Sequence, residues 1–222
     1  MSDTLPTRVH PAGWTSYTVF DTAYPATSFN PHAGFGKGDA VGGGRFHPFT
    51  DPAGIPVPTR YLGDHPIGAF AETLMRDGLG RRDVSLDTIA RHGIATITFA
   101  RDMLLADLVV DVVASPTLRG LLRSGREAYP ALRTLARTLH ERHDRIDGLV
   151  WQGRQLEAAG MNCTVLFGDR VAVNVDLIET GVHALDRGLG LQLLRDAARA
   201  RRFALPDARV LDGPLAGLVD DG

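Results

Sequence analysis

The chain has 222 residues, a net charge of −2 and a pI near 6.4, with 44% hydrophobic and 23% charged residues. That balance suits one globular domain with an appendage, and it excludes the basic stripe of a nucleic-acid binder and the polybasic patch of a membrane-surface protein. The single cysteine, Cys163, excludes an internal disulfide, and neither an apolar signal core nor a bilayer-length apolar run is present, so a soluble cytoplasmic protein is expected.

In chain order, residues 1–15 are polar and Pro-containing and read as a flexible N-terminal arm. "SYTVF" (16–20) has the β-branched and aromatic content of a strand. Residues 21–56 are dense in Gly, Pro, Asn and Asp, a length of loop that is functional or disordered in a compact domain. "VPTRYLG" (57–63) is a short strand, and "DHPIGAFAETLMRD" (64–77) a helix with Asp64 as N-cap, Pro66 early, and Ile67, Phe70 and Leu74 at helical spacing. A short helix opened by Ser85 covers 84–92, and the alternating "GIATITFA" (93–100) is a strand. Residues 101–125 mix short apolar runs with turns; 127–143 form a helix with Leu132, Leu135 and Leu139 on one face. Strands are expected at 147–153, 162–168 and 171–178, and a basic amphipathic helix with a Pro-containing tail follows Thr180. Strands and helices in mixed order indicate α+β. The resulting organisation is an arm (1–15), a main domain (16–178) and a C-terminal helical extension (179–222).

"GFGKGDAVGGGRF" (34–46) carries six glycines in thirteen positions. It fails the Walker pattern, because Gly38 follows Lys37 where Ser or Thr must hold Mg²⁺. It also fails the dinucleotide fingerprint, because Asp39 stands at the third glycine and no helix follows. The first glycines then read as a mobile loop. The end differs: Gly44 lets backbone approach a ligand closely, and Arg45 offers a planar guanidinium suited to phosphate oxygens.

"GGGRF" (42–46), "TRYLGD" (59–64), "GAFAETLMR" (68–76), "DGLVWQGR" (147–154) and "GMNCTVLF" (160–167) occur in that order. Over roughly residues 16–175 this set resembles the RES domain family, named for an Arg, a Glu and a Ser. The resemblance implies an ADP-ribosyltransferase-like fold, a mixed, split β-sheet core with flanking helices. It also implies an enzyme that takes NAD⁺ as substrate, as a glycohydrolase (a hydrolase) or a phosphorylase (a transferase), without a metal. In such toxins the partner is often a helix-turn-helix antitoxin. Arg45, Tyr61 and Glu72 match the family's catalytic positions; Gly44, Arg45, Tyr61, Gly153 and Arg154 would line the nucleotide. The chain departs at two places: Thr18 stands where the family often has a first-strand arginine, and Gly153, between Gln152 and Arg154, where it has its serine.

The chemistry supports the same residues. Cleavage at the nicotinamide–ribose bond passes through an oxocarbenium-like state that a carboxylate stabilises. Nicotinamide leaves from a cation, so one carboxylate suffices. Glu72 lies five residues from Ile67, about 140° around a helix of ~3.6 residues per turn, at the edge of the apolar stripe. Tyr61 could equally be a half-buried strand tyrosine. Phe46 and Trp151 read as core, although Trp151 could line the site, and Cys163 reads as a buried inert thiol. His140 and His143 lack metalloprotease order and read as a solvated helix end; Arg195, Arg199, Arg201 and Arg202 read as a solvated face that could dock a partner. His32, His47, Ser28, Asn30 and Asn162 are weaker candidates. Two rivals stay open: ADP-ribose transfer to a macromolecule or another small molecule, and a nucleotide- or partner-binding module without turnover. Homo-oligomerisation is also left open.

Overall fold

The computed structural model describes residues 5–30, 44–75, 83–109, 115–152 and 161–206. Eight strands form one sheet: β1 (Thr7–His10), β2 (Thr15–Asp21), β3 (Thr59–Gly63), β4 (His92–Phe99), β5 (Met103–Asp107), β6 (Gly148–Trp151), β7 (Cys163–Phe167) and β8 (Leu177–Ala184). Their order is β1-β5-β6-β7-β3-β2-β4-β8. All pairings are antiparallel except β5 with β6. That parallel step needs a crossover. It is supplied by α3 (Pro116–Arg123), a 3₁₀ turn (Arg126–Ala128) and α4 (Tyr129–Arg142). The other helices are α1 (Pro66–Glu72), α2 (Leu86–Arg91) and α5 (Gly188–Arg201). The expected α+β class, with a mixed sheet and flanking helices, is what forms; the sheet is one curled eight-strand sheet rather than a split one.

Three apolar clusters hold the layers together. On the helical face, α3 and α4 cover β5–β7 through Leu118, Leu132 and Ala136 against Leu149, Trp151 and Phe167. At the other half, α1 and α5 pack together and onto β2 and β4, through Phe70, Leu191 and Leu194 against Val19 and Ile94. On the opposite face the sheet curls, so that Phe20, Ile97 and Phe99 share one cluster with Met103, Val150 and Leu166. Excluding these side chains from water is the main driving force for the architecture, each large one contributing roughly 1.5–3 kcal/mol.

Several sequence expectations are corrected. Thr7–His10, inside the expected arm, pairs with β5 as a strand. β5 and α3 lie in 101–125, where only short runs and turns are apparent in the sequence. The expected strand at 171–178 is displaced: Asp176 Oδ2 accepts the Ala172 N–H at 2.8 Å and Asn174 takes a left-handed conformation. The run is thus bent into a turn that leaves Val175 exposed, and β8 starts only at Leu177. Asp64 is not the cap of α1; His65 is, through Nδ1 accepting the Ile67 N–H at 3.2 Å. Asp64 instead accepts the backbone and side-chain N–H groups of Asn162. Helix α1 is also shorter than 64–77, ending at Glu72.

Candidate functional site

The site is assembled where β3 meets α1 and the Gly44–His47 turn. Strand β3 turns tightly into α1, which only Gly63 permits: a Cβ there would lie 2.5 Å from the Ala69 nitrogen. This close approach presses α1 onto the sheet, so even its last residue, Glu72, is buried at 8% exposure. Its neighbour Ala71 packs with Trp151 and Cys163 in the core under α4.

Tyr61 projects from β3 toward the same side. Its hydroxyl accepts the Phe46 N–H at 2.8 Å, and its ring stands edge-on to His47 (5.2 Å between centroids) and Trp151 (5.8 Å). Strands β2 and β3 pair only at Tyr17 and Gly63, and the Thr18 hydroxyl donates to the Tyr61 carbonyl at 3.1 Å where the ladder gives out. Thr18 thus holds the backbone of Tyr61 from the neighbouring strand.

Arg45 is buried, at 8% exposure. Its Nη1 donates to the Leu122 carbonyl at 2.7 Å, in the last turn of α3, where a cation complements the helix dipole. Its guanidinium carbon lies 5.5 Å from the centre of the Tyr129 ring, while Nε is buried without a hydrogen-bond partner. Gly44 is gripped on both sides: its N–H donates to His47 Nε2 at 3.2 Å and its carbonyl accepts from Arg133 Nε at 3.2 Å. A Cβ at Gly44 would strike the His47 ring and stand 2.9 Å from the Tyr61 hydroxyl, so glycine is required for close approach.

The electrostatics converge on Cys163. Burial pushes its thiol well up; the Glu72 and Asp64 carboxylates push it further, and Arg45 opposes them. A single buried thiol therefore registers three of the site's charges, and its raised pKa makes it a poor nucleophile. Asp64 is itself pushed up by burial, against the hydrogen bonds from Asn162.

The structure thus gathers Gly44, Arg45, Tyr61 and Glu72 into one region with Trp151. Gly153 and Arg154 lie outside the described residues, as do His32 and residues 34–43 of the glycine stretch. Two contributors were missed in the sequence, Tyr129 and Arg133. They are one turn apart on α4, and that i,i+4 spacing beside the Leu132–Leu139 stripe was the available signal. His140 is corrected: it is buried, not solvated, wedged against Phe49 and Phe167, with Nε2 2.8 Å from Asp169. Among the described residues no group of three His, Cys, Asp or Glu side chains could hold a metal ion, and no helix is long and apolar enough to cross a membrane.

The RES domain family matches residues 8–186, and the chain belongs to that family. It is similar in fold to a chain in the crystal structure of the M. tuberculosis MbcT–MbcA toxin–antitoxin complex, at 17% identity and a TM-score of 0.52. The match covers 85% of this chain and 92% of the other. No curated protein matches.

Proposed function

We propose that the protein consumes NAD⁺ by cleaving the nicotinamide–ribose bond. The observation that carries this reading is the buried Glu72 carboxylate, grouped with Arg45, Tyr61 and Trp151 in a member of the RES family. As the C1′–N bond breaks, its electron pair returns to the pyridine ring, and nicotinamide departs neutral. The positive charge left on the ribose is stabilised by Glu72. Water, losing a proton, or an inorganic phosphate oxygen then forms the new bond to C1′. Half-buried Tyr61 offers an aromatic face to the nicotinamide side, backed by the buried Trp151 ring. Arg45 would supply positive potential to the pyrophosphate, and Gly153 and Arg154 would complete the nucleotide contacts.

NAD⁺ is thus the proposed substrate, with no metal. A toxin role restrained by an antitoxin is supported by the structural relative, which is a toxin–antitoxin complex; a cytoplasmic setting and a helix-turn-helix antitoxin belong to the same proposal. The test is incubation of the purified protein with NAD⁺, with and without phosphate, beside Glu72→Ala. Release of nicotinamide by the parent alone is expected, and the acceptor is read from ADP-ribose against its 1-phosphate. Persistence of NAD⁺ in both buffers overturns the reading.

One observation favours a second reading, nucleotide binding without turnover: Arg45 Nη1 is already committed to the Leu122 carbonyl. In that case ADP-ribose binds, and Glu72→Gln changes no rate. Transfer of ADP-ribose to a macromolecule would instead appear as label from NAD⁺ on a target.

A further inference from the structure

We propose that His47 is a positioning residue of the site and acts only while its ring is neutral. The inference deepens the proposed function and rests on it for its catalytic arm alone. His47 is buried, at 8% exposure, in the segment that delivers Arg45. Its Nε2 accepts the Gly44 N–H at 3.2 Å, closing a four-residue turn that has Arg45 and Phe46 at its crest. The same ring stands edge-on to Tyr61, whose hydroxyl accepts the Phe46 N–H. The Gly44–His47 turn is therefore tied at both ends, by the imidazole and by Tyr61, and Arg133 fixes the Gly44 carbonyl from α4. This arrangement sets where the Arg45 guanidinium and the Tyr61 hydroxyl point.

The bond dictates a protonation state. A ring that accepts at Nε2 is neutral and carries its proton on Nδ1. Protonation turns Nε2 into a donor facing the Gly44 N–H, leaving a buried donor without an acceptor and two donors opposed. The charged and titratable groups of this site are the Tyr61 hydroxyl from β3, Arg133 from α4, Arg45 in the same segment, and Glu72 and Asp64 at the two ends of α1. The Arg133 guanidinium, bound to the Gly44 carbonyl, opposes a charged ring, and the Gly44 bond requires the neutral form. As pH falls through the titration of His47, the turn loosens and the alignment of Arg45 and Tyr61 is lost.

The test uses the full chain with His47→Gln, which keeps an acceptor at the Nε2 position but does not titrate, and His47→Leu, which removes it. The Gly44 amide is followed by NMR against pH in the free protein, and NAD⁺ consumption is measured over the same range. In the parent, the Gly44 amide shift is expected to move with the His47 ring, and NAD⁺ consumption to fall on the acid side with the same midpoint. His47→Gln is expected to lose both responses and stay within about tenfold of the parent at neutral pH. His47→Leu is expected to fall by roughly 10²-fold, the scale of a misplaced catalytic group. A Gly44 amide that ignores the ring, or an acid limb that survives in His47→Gln, overturns the proposal. If the parent consumes no NAD⁺, the proposed function fails, and the Gly44 titration still decides the role of His47.

Discussion

The protein engages arginines in two contrasting ways. Beyond the β4–β5 corner, Arg101 spends every N–H: two on the Asp147 carboxylate, one each on the Asp102 and Arg170 carbonyls, and Nε on Asp176. Hydrogen bonding to Asp147 accordingly holds its pKa above the ordinary value. Arg170 beside it donates to the carbonyls of His140, His143 and Ile146, closing the end of α4. Around the candidate site the account is incomplete: Arg45 Nε, Asp64 Oδ1 and Trp151 Nε1 are buried without hydrogen-bond partners. Buried polar groups are ordinarily satisfied, and an exception calls for an explanation. A fully satisfied network resists change and holds structure. A partly satisfied one gains most from a polar ligand, because each unpartnered group has a desolvation cost still to recover.

The contrast can be broken first at Glu72. Glu72→Gln keeps the shape and removes the charge, so NAD⁺ consumption is expected to drop by about 10²–10³-fold while thermal stability barely moves. Initial rates and a melting curve on one preparation check both halves. A large fall in stability with little change in rate would place Glu72 with the structural arginine network instead.

The second effect is expected from acid and falls on stability rather than rate. His10 is buried against Trp14 (4.4 Å between ring centroids), and burial, aided by Arg8, lowers its pKa from 6.5 to about 4. The unfolded chain takes up a proton near its ordinary value and the folded chain does not. Stability from the neutral ring is therefore complete above pH 6.5 and is lost as pH falls toward 4. The span corresponds to about 3 kcal/mol. Denaturant titrations of the parent and His10→Phe across this window should differ in slope, the variant being less acid-sensitive.

Third, Asp147→Ala leaves Arg101 without its bidentate partner and the Leu104 N–H without an acceptor. A loss of about 2–4 kcal/mol is expected, with any remaining rate unchanged per folded molecule. Active-site-normalised rates separate this from the Glu72 outcome.

The smallest effect sharpens the contrast from a third location. Arg60 points to the opposite sheet face from Tyr61; among the described residues its side chain has one hydrogen bond, to the Ser28 carbonyl, and its Nε and Nη2 are buried without partners. Burial lowers its pKa to about 10. Replacing a poorly compensated buried cation by an apolar group of similar length often stabilises. Arg60→Met is expected to gain about 1 kcal/mol, seen as a rise of roughly 2–4 °C in Tm. A fall would mean that the guanidinium has a counter-charge in solution.

The sequence was most legible where periodicity was clean. The alternation of 93–100 reappears as β4, and Ser85 caps α2 by accepting the Thr88 N–H. It was least legible where tertiary contacts overrode local pattern. The alternating valines of 171–175 look like a strand, but the Asp176 carboxylate turns them. "MLLAD" is too short an apolar run to be separated from a helix by spacing alone. At the site, the family resemblance named Arg45, Tyr61 and Glu72, and the fold does bring them together. That Arg45 would reach the Leu122 carbonyl was hidden, because that contact spans 77 residues of chain and exists only once α3 has packed. His140 was misread for the same reason: its aromatic neighbours come from Phe49 and Phe167, far away in sequence.

The packing of α5 against α1 has a consequence for inheritance. The family match stops at residue 186, whereas Leu191, Leu194, Ala197 and Ala198 of α5 lie beyond it and cover Phe70 and Met75 at the Glu72 end of the chain's first helix. What is recognisably shared among relatives and what folds as one cooperative body here therefore have different ends. A fragment trimmed to the shared portion would keep every residue named by the family and lose the α5 side chains that cover Phe70 and Met75, on either side of Glu72.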